Sequence, residues 1–360
     1  MSKIKVGILF GGRSVEHEIS LRSAANVYKY IDKDQFEVVL VGIDKNGAWH
    51  LGLEPGAEFP EKDTELALRL DPEKKVLVSG GKEHRLDLVF PVLHGTDGED
   101  GAVQGLLKAM EIPCVGSGVL GSALCMDKIF SKKMLEAQGL PVAKYLVGQR
   151  NNRAGLSFET VKETLGMPVI VKPAVLGSSV GVSKVTDASS WEAALDEAYA
   201  YDDRVLVEEF ITGRELECAV IGNADPVASA PGEVIITGAH DFYSFDAKYV
   251  DKASETKIPA DVTASEDAQI RECSVQAYKT LACEDFARVD IFLSEQGKVY
   301  VNEINTIPGF TDISMFPALW ANEGIDYPSL LTKLINMALE RSGAENKSGT
   351  HFESSLNRDK

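Results

Sequence analysis

Cysteine is scarce in this sequence, and long apolar runs are missing from it. The five cysteines are scattered, and none belongs to a C-x-x-C motif, so the pattern indicates reduced thiols rather than a disulfide framework. No apolar run approaches the roughly 20 residues that a membrane span needs, and the opening segment MSKIKVGILFGG has no signal-peptide core. We therefore expect a soluble, cytoplasmic protein that does not have a membrane as a partner.

Positive charge is also in short supply. The 360 residues include 37 Lys and Arg against 55 Asp and Glu, which gives a net charge of −18 and a pI near 4.8. This balance argues against nucleic acid or an anionic membrane as the main partner, although a local basic pocket could still bind an anionic small ligand. The hydrophobic fraction of 44% and the charged fraction of 26% are those of an ordinary globular chain, and the length predicts two or three domains.

Strand and helix patterns alternate through the first third of the chain. An apolar run ending in Gly-Gly is followed by a helical pattern and by another apolar run, in the order IKVGILFGG, SVEHEISLRSAANVYKYI and FEVVLVGID. This order is typical of a βαβ unit with a parallel sheet. A further strand (LDLVFPVLHG), a helix (GAVQGLLKAM) and a short strand (IPCVGSG) complete a predicted α/β domain over residues 1–122.

The rest of the chain has a different character and is divided into two more domains. In segment 123–215 we predict one helix over CMDKIFSKKMLEAQG, ended by Gly139, and then α+β structure around PVIVKPAVLGSSVGVSKV and RVLVEEFI. In segment 216–342 we predict the strand GEVIIT, a polar loop, a long helix, a hairpin and a closing helix. Residues 343–360 lack periodicity and are predicted to form a disordered tail.

The hairpin ARVDIFLSEQGKVYVNEIN, with its turn at Gln296-Gly297, carries an unusual set of polar residues. The predicted register pairs Asp290 with Glu303, Arg288 with Asn305, and Phe292 with Val301. Side chains alternate between the two faces of a strand, so these six share one face. The other face carries apolar residues suited to a core, namely Val289, Ile291, Leu293 and Ile304.

The polar face of this hairpin is compatible with two interpretations. One is a solvated face with a cluster of charges. However, Asp290 opposite Glu303 is destabilising unless a positive charge lies between them. Two carboxylates and the Asn305 amide oxygen are suitable ligands for Mg²⁺, which takes the rest of its shell from water and phosphates. We therefore predict a Mg²⁺–nucleotide site with Arg288 beside it.

Two further segments fit a nucleotide, although each is weak alone. Lys172 precedes the small-residue loop Gly177–Ser179, whose backbone N–H groups could approach phosphate oxygens. A plain hairpin turn would give the same pattern, and the order of residues in a Walker A loop is absent. Glu208, Glu209 and Glu215 surround a strand end, which is either a polar edge or a set of acceptors for adenine and ribose.

Other polar positions leave alternatives open. Glu16 lies near a helix start, where an acidic residue often only compensates the helix dipole, and we interpret His17 as structural. His94 stands at the carboxyl end of a strand, where ligands bind in α/β sheets, but a structural histidine fits equally. The loop DFYSFDAKYVD holds Lys248 and Tyr249, and it is compatible with a lid over a ligand or with an ordinary surface loop.

Together and in this order, these segments resemble the D-alanine–D-alanine ligases of the ATP-grasp superfamily. The resemblance covers about residues 4–340 and is carried by GILFGGRSVEHEISLRSA, FPVLHGTDGEDGAVQGLL, VGSGVLGSALCMDK, VIVKPAVLGSSVGVSKV, FYSFDAKY, ARVDIF and NEINTIPGFTDISMFP. It implies an ATP-grasp fold of α/β and α+β type in three domains, with a parallel sheet in the amino-terminal one and with ATP held between the central and carboxyl-terminal ones. It also implies a homodimer in a bacterial cytoplasm.

The resemblance implies a reaction in two steps. The carboxylate of one D-alanine attacks the γ-phosphate of ATP to form an acyl phosphate, and the amino group of a second D-alanine then displaces phosphate. Charge on the phosphoryl group must be neutralised, and the tetrahedral intermediate needs hydrogen-bond donors at its oxyanion. The product, D-alanyl-D-alanine, would serve as a peptidoglycan precursor.

The resemblance also implies roles for individual residues. The ligands of two Mg²⁺ or Mn²⁺ would be Asp290, Glu303 and Asn305. The ATP-binding residues would be Lys128, Lys172, Gly177, Ser178, Ser179, Glu208, Glu209, Ile211, Glu215, Lys248, Phe292 and Asn302. The oxyanion donors would be Arg288 and the Gly309 N–H. The residues that bind D-alanine would be Glu16, His94, Ser314 and Met315, with Ser178 and Tyr249 orienting Glu16 and closing the lid.

One position departs from the family pattern, and rival functions share much of it. Glu209 stands where relatives often have Lys or Gln, so its backbone rather than its side chain is expected to serve adenine. Ligases that make D-alanyl-D-lactate share most of the motifs, but FYSFDAKY with Tyr249 resembles the D-alanine type. The other rivals are an ATP-grasp ligase for a different acid and amine, and a nucleotide-binding regulator that binds ATP without turnover.

Overall fold

The structure is a computed structural model that describes residues 3–59, 66–68, 74–79, 81–236 and 254–347. The predicted lid residues Lys248 and Tyr249 lie outside these ranges, and so does the end of the predicted tail, residues 348–360. Within the described ranges, no helix is long and apolar enough to cross a membrane.

A parallel sheet forms the core of the amino-terminal part. The elements in chain order are β1 (Ile4–Gly11), α1 (His17–Tyr30), β2 (Phe36–Ile43), β3 (Trp49–Leu51), β4 (Leu66–Leu68), β5 (Val76–Ser79), β6 (Lys82–Arg85), β7 (Leu88–Val92) and α2 (Ala102–Ala109). Strand β1 pairs in parallel with β2 and β7, and β3 joins the edge antiparallel to β2. The predicted βαβ unit is therefore confirmed. The strands β4, β5 and β6 make a small separate sheet.

The predicted strand at IPCVGSG is wrong. Cys114 makes only an isolated parallel bridge with Val89. Pro113 has no backbone N–H to donate, and Gly116, with φ of +98°, turns the chain away directly after the bridge.

The central part is a four-stranded antiparallel sheet with helices around it. Its elements are α3 (Val119–Met126), α4 (Lys128–Ala137), β8 (Tyr145–Gln149), a 3₁₀ helix (Arg150–Gly155), α5 (Phe158–Leu165), β9 (Val169–Pro173), β10 (Ser183–Val185), α6 (Trp191–Tyr199) and β11 (Arg204–Glu209). The strand order is β10-β9-β11-β8. The single helix predicted before Gly139 is in fact two, because the Asp127 side chain accepts hydrogen bonds from the N–H groups of Ile129 and Phe130 and so begins α4.

A second antiparallel sheet forms the carboxyl-terminal part. Its elements are β12 (Gly213–Ile221), β13 (Val227–Ala228), β14 (Gly232–Ile236), β15 (Ser254–Lys257), α7 (Ala264–Thr280), β16 (Phe286–Ser294), β17 (Val299–Asn305), α8 (Met315–Asn322) and α9 (Tyr327–Lys347). The order is β15-β14-β12-β16-β17, with β13 on β12. Helix α9 continues beyond residue 342, so residues 343–347 are helical rather than disordered; Ala344, Glu345 and Lys347 are good helix formers.

The hairpin β16–β17 confirms two predicted pairs and corrects the third. Arg288 lies opposite Asn305 and Asp290 opposite Glu303, but Phe292 lies opposite Tyr300 rather than Val301. A register shift after Asp290 leaves one extra residue, Asn302, on β17. Because of this β-bulge, Val301 turns into the core, where it is fully buried, whereas Asn302 and Glu303 both line the cavity described below.

A cluster of four phenylalanines packs beneath the loop that follows β17. Phe310, from that loop, makes edge-to-face contacts with Phe90 of β7 and Phe286 of β16, each with ring centroids 5.7 Å apart. Phe316 of α8 packs against both Phe286 and Phe310. Aromatic pairs of this geometry stabilise beyond the area that they bury. The cluster fixes the 306–314 loop against both the first and the last sheets.

Candidate active site

A cavity of about 350 Å³ lies between the central and carboxyl-terminal sheets. Eleven of the twelve predicted ATP-binding residues line it, the exception being Lys248, which is outside the described residues: Lys128, Lys172, Gly177, Ser178, Ser179, Glu208, Glu209, Ile211, Glu215, Phe292 and Asn302. The predicted metal ligand Glu303 also lines it. Its volume falls in the range of small-molecule sites. The cavity thus brings together residues from α4, β9, β11, β12, β16 and β17.

The small-residue loop between β9 and β10 has an unusual backbone. Ser178 and Ser179 adopt φ of +54° and +56°, the left-handed region that side chains other than glycine seldom occupy. Such conformations persist where the surroundings enforce them, and they concentrate at functional sites. Here the loop lies at the cavity wall, next to Lys172 and Lys128.

A buried lysine that sequence reasoning missed completes an ion-pair triad beside the cavity. The Glu208 carboxylate lies 2.9 Å from the Lys132 ammonium and 2.9 Å from the Lys172 ammonium. Burial lowers the pKa of Lys132, with Glu208 opposing the shift. Burial raises the pKa of Glu208, but the two ammonium groups outweigh it and leave that pKa below its ordinary value. The signal that could have revealed Lys132 is its position four residues after Lys128, on the same face of α4.

A second cluster surrounds Arg288. Its Nε and Nη2 donate to the two oxygens of Asp290 at 2.6 and 2.7 Å, and Nε lies 3.1 Å from Glu217 Oε2. Burial lowers the pKa of the guanidinium, but Asp290 and Glu217 outweigh it and hold the pKa well above its ordinary value. Glu217 was also missed. It lies two residues after Glu215 on β12, and therefore on the same face of the strand.

The predicted metal ligands form a donor set that fits a hard cation. Asp290 and Glu303 face each other across the hairpin, and Asn305 Nδ2 donates to Asp290 Oδ2 at 3.0 Å. Lys128 lies 3.4 Å from Glu303 Oε2. No group of three or more His, Cys, Asp or Glu in the described ranges is placed to hold a metal ion. Two carboxylates and an amide oxygen instead suit Mg²⁺, whose shell is completed by water and phosphate oxygens.

Glu16 and Ser178 meet at the end of the loop. The Ser178 hydroxyl donates a hydrogen bond to Glu16 Oε1, and Glu16 makes no capping hydrogen bond to α1. A Cβ on Gly95 would lie 2.9 Å from Glu16 Oε2, and one on Gly177 would lie 3.2 Å from it. Two glycines therefore pack closely against the Glu16 carboxylate.

His94 is buried and bonded on both ring nitrogens. Nε2 pairs with the Ser23 hydroxyl at 3.1 Å, and Nδ1 pairs with the Ile307 carbonyl at 3.0 Å. Glu99, which sequence reasoning missed, has a carboxylate oxygen 3.7 Å from Nδ1. Burial lowers the pKa of His94, but Glu99 outweighs burial and raises it. The neighbouring His17 is also buried, and its Nδ1 donates a hydrogen bond to the Gly12 carbonyl at 2.6 Å.

The loop from Thr306 to Ser314 holds the predicted backbone donors. A Cβ on Gly309 would lie 2.7 Å from Ser314 Oγ, so a larger residue here would displace the Ser314 hydroxyl. The Ser314 N–H already donates to the Thr311 carbonyl at 3.1 Å, so it could bind a ligand only as a shared donor. Met315 begins α8, and its N–H belongs to the first turn, whose N–H groups lack partners within the helix.

Two family profiles match most of the chain. The profile described as "D-ala D-ala ligase N-terminus" matches residues 5–117, and the one described as "D-ala D-ala ligase C-terminus" matches residues 134–336. A curated relative, D-alanine–D-alanine ligase A of Escherichia coli (strain K12), is 47% identical, with 96% of this chain and 98% of the relative aligned. D-alanine–D-alanine ligase of Shouchella clausii (strain KSM-K16) is also 47% identical, over 95% of this chain and 96% of the relative.

Solved structures show the same similarity at the level of the fold. The D-alanine-D-alanine ligase from Coxiella burnetii is 36% identical, covers 97% of both chains and superposes with a TM-score of 0.86. The VanG D-Ala:D-Ser ligase from Enterococcus faecalis is 33% identical, covers 94% of this chain and 100% of its own, and superposes with a TM-score of 0.85.

Proposed function

Because this chain belongs to the D-alanine–D-alanine ligase family, and is therefore an ATP-dependent ligase of the ATP-grasp fold, we propose that the cavity between its two antiparallel sheets binds ATP. The residues around this cavity then join two D-alanines. The observation that carries the assignment is the meeting of Lys128, Lys172 and Glu303 in one cavity, with the Glu16–Ser178 pair at its end. A regulator that binds ATP without turnover would not need Arg288 beside the carboxylates of Asp290 and Glu303.

The first step transfers a phosphoryl group. A carboxylate oxygen of the first D-alanine bonds to the γ-phosphorus of ATP, the bond to the bridging oxygen breaks, and ADP leaves. Lys128 and Lys172 neutralise charge on the phosphates, and Lys248 is assigned the same role from the sequence alone. The Glu208 carboxylate, which Lys172 shares with Lys132, holds the Lys172 ammonium in place.

Asp290, Glu303 and Asn305 would hold two Mg²⁺ or Mn²⁺. When bound, these ions supply charge neutralisation at the phosphates of ATP.

We assign hydrogen-bond acceptors and one aromatic ring to the binding of the nucleoside. Phe292 would pack against adenine, and Asn302, Ile211, Glu208 and Glu215 would surround the nucleoside. Glu209 Oε1 already accepts from the Lys144 N–H at 2.8 Å. That contact occupies one oxygen of the Glu209 carboxylate, and the contact with adenine is assigned to the Glu209 backbone.

The second step forms the peptide bond. The unprotonated amino nitrogen of the second D-alanine attacks the acyl carbon. Phosphate leaves with the electrons of the carbon–oxygen bond and takes up the proton that the nitrogen loses. Arg288 and the Gly309 N–H would donate to the oxygen of the tetrahedral intermediate.

Positioning of the two amino acids is assigned to a separate set of residues. Glu16, oriented by Ser178, would bind the first D-alanine's ammonium. Ser314 and Met315 would bind the second carboxylate through their N–H groups, with His94 beside them. Tyr249 is assigned to lid closure from the sequence alone.

The cellular location, the oligomeric state and the use of the product complete the proposal. The chain would act in the cytoplasm as a homodimer and would supply a peptidoglycan precursor. We also retain the division at residues 122 and 215 as a proposal, although these positions fall inside α3 and β12.

The test is phosphate release from Mg²⁺–ATP with D-alanine, with L-alanine, D-lactate and D-serine offered in parallel. We expect release that requires D-alanine, with D-alanyl-D-alanine identified by mass spectrometry. Release that requires a different acid or amine would replace the substrate assignment and retain the ATP site. Binding of ATP without release under any condition would favour the regulator.

A further inference from the structure

Glu217 is a buried carboxylate that the mechanism above does not use. It lies directly opposite Asp290 on the neighbouring strand, and Asp290 lies directly opposite Glu303 on the next. Three carboxylates therefore form a row across β12, β16 and β17. Glu217 Oε2 lies 3.1 Å from the guanidinium Nε of Arg288, and the side chain of Glu217 is only 6% exposed.

The contacts of Arg288 divide its guanidinium into two sides. Nε and Nη2 donate hydrogen bonds to Asp290, whereas Glu217 Oε2 lies 3.1 Å from Nε as an ion pair without a hydrogen bond. Nη1 has no hydrogen-bond partner among the described residues. Asp290 thus fixes one edge of the plane by hydrogen bonds, Glu217 adds its charge on the same edge, and the other edge is left for a ligand. A planar guanidinium held along one edge cannot rotate freely, which is the condition for a preorganised donor.

We propose that Glu217 is a positioning residue for Arg288: it is the counter-ion that keeps the guanidinium aimed at the reacting carbonyl while Asp290 serves the metal. This inference rests on the proposed function, in which Asp290 binds a cation and Arg288 donates to the oxyanion. A carboxylate whose oxygens coordinate a divalent cation attracts a guanidinium less strongly. Without Glu217, the buried Arg288 would then lose most of its charge compensation, which is costly in a desolvated site.

Glu217 is not placed as a third metal ligand. Glu303, whose side chain is 26% exposed, lines the cavity, whereas Glu217 does not. The three carboxylates also do not form a group close enough to hold a metal ion together, within the described residues. Glu217 therefore pairs with Arg288 away from the cavity lining.

The experiment is a double-mutant cycle between Glu217→Gln and Arg288→Met. We expect Glu217→Gln to lower kcat by about 10- to 100-fold, because a misaligned oxyanion donor loses that much. KM for ATP should stay within about twofold of the wild-type value, because the substitution does not change how ATP binds in the ground state. In the Arg288→Met background, Glu217→Gln should have no further effect on kcat, because its role acts through Arg288.

A second measurement distinguishes an effect of Glu217 on Arg288 from an effect of Glu217 on metal binding. Mn²⁺ binding in the presence of ADP, followed by electron paramagnetic resonance, should change little in Glu217→Gln and fall strongly in Asp290→Asn. Equal losses in the two variants would make Glu217 a metal residue and overturn the proposal, as would additive effects of Glu217→Gln and Arg288→Met on kcat.

The matched control is Glu323→Gln. Arg271 is likewise paired with two carboxylates, Asp267 at 2.9 Å and Glu323 at 3.0 Å, but outside the cavity. This variant should retain wild-type kcat. If Glu217→Gln is too unstable to assay, Glu217→Asp, which keeps the charge, should fold and show a smaller loss of kcat; an unchanged kcat in Glu217→Asp and Glu217→Gln alike would overturn the proposal.

Failure of the proposed function gives a different pattern. In that case the wild-type chain releases no phosphate with D-alanine. The double-mutant cycle is then measured with unfolding free energies and Mn²⁺ affinity. Coupled effects of the substitutions at positions 217 and 288 on the unfolding free energy, with unchanged Mn²⁺ affinity, support the positioning contact. Independent effects overturn it.

Discussion

Ser178 donates a hydrogen bond to Glu16, although 162 residues separate them in the sequence. The contact joins the small-residue loop of the central sheet to the start of α1 in the amino-terminal part. Both flanking glycines, Gly95 and Gly177, approach the Glu16 carboxylate so closely that a Cβ on either would contact it. The orientation of Glu16 therefore depends on the small-residue loop that also lines the cavity.

Ser178→Ala should weaken binding of the first D-alanine. A hydrogen bond to a charged group contributes about 1.5–3 kcal/mol, so we expect KM for D-alanine to rise by at least about tenfold. The measurement is the rate of dipeptide formation against D-alanine concentration at saturating ATP.

The control for this prediction is Ser183→Ala. Ser183 also donates to a glutamate, Glu197, at 2.6 Å, but on an exposed surface. It should leave KM unchanged. Equal KM values in Ser178→Ala and the wild-type chain would contradict the assignment of Glu16 to the substrate ammonium.

Alternation of polar and apolar residues was enough to predict most of the hairpin. A period of two placed Arg288, Asp290 and Glu303 on one face, and of these three Glu303 lines the cavity. The β-bulge at Asn302 could not be predicted, because the sequence carries no glycine or other backbone signal there. One inserted residue moved Val301 from the polar face into the core.

The sequence patterns did not identify Lys132 and Glu217 as site residues, and the reason is different. Each looks like an ordinary charged residue on an amphipathic element, and only its partner shows that it is buried. Those partners, Glu208 and Arg288, come from strands far along the chain. The pairing of charges between distant segments is set by tertiary packing, which local periodicity does not encode. The family resemblance assigned the cavity residues, because motifs carry such long-range information.

Lys132→Met should destabilise the protein and weaken ATP binding together. Glu208 would keep only Lys172 as a counter-ion, so Lys172 would be drawn away from the phosphates. We expect the free energy of unfolding to fall by about 2 kcal/mol, somewhat less than complete loss of a buried pair, and KM for ATP to rise several-fold. Urea unfolding and steady-state kinetics measure the two effects.

Lys133→Met is the matched control for Lys132. Lys133 is the next residue on α4 and is exposed. Its substitution should change the unfolding free energy by less than about 0.5 kcal/mol. A normal KM for ATP in Lys132→Met would show that the triad does not hold Lys172 for the nucleotide.

Glu303→Gln should abolish turnover and weaken metal–nucleotide binding. The amide keeps the shape of the side chain but removes the charge that a divalent cation needs. Titration of Mn²⁺ with ADP, followed by electron paramagnetic resonance, gives the affinity independently of turnover. Glu295→Gln, in the exposed turn of the same hairpin, should change neither quantity. A kcat near the wild-type value in Glu303→Gln would refute the metal assignment.

His94 should titrate above its ordinary pKa in the folded protein, because the nearby Glu99 carboxylate outweighs the effect of burial. A pKa raised in the folded state means that protonated His94 adds stability. That contribution is fully present below about pH 6.5, the unfolded value, and is lost as pH rises through the higher folded pKa. Nuclear magnetic resonance titration of the His94 ring protons measures the folded pKa directly. Glu99→Gln should lower it, because burial then acts on the ring without the opposing charge; a His94 pKa at or below 6.5, or one unmoved in Glu99→Gln, would contradict the pairing.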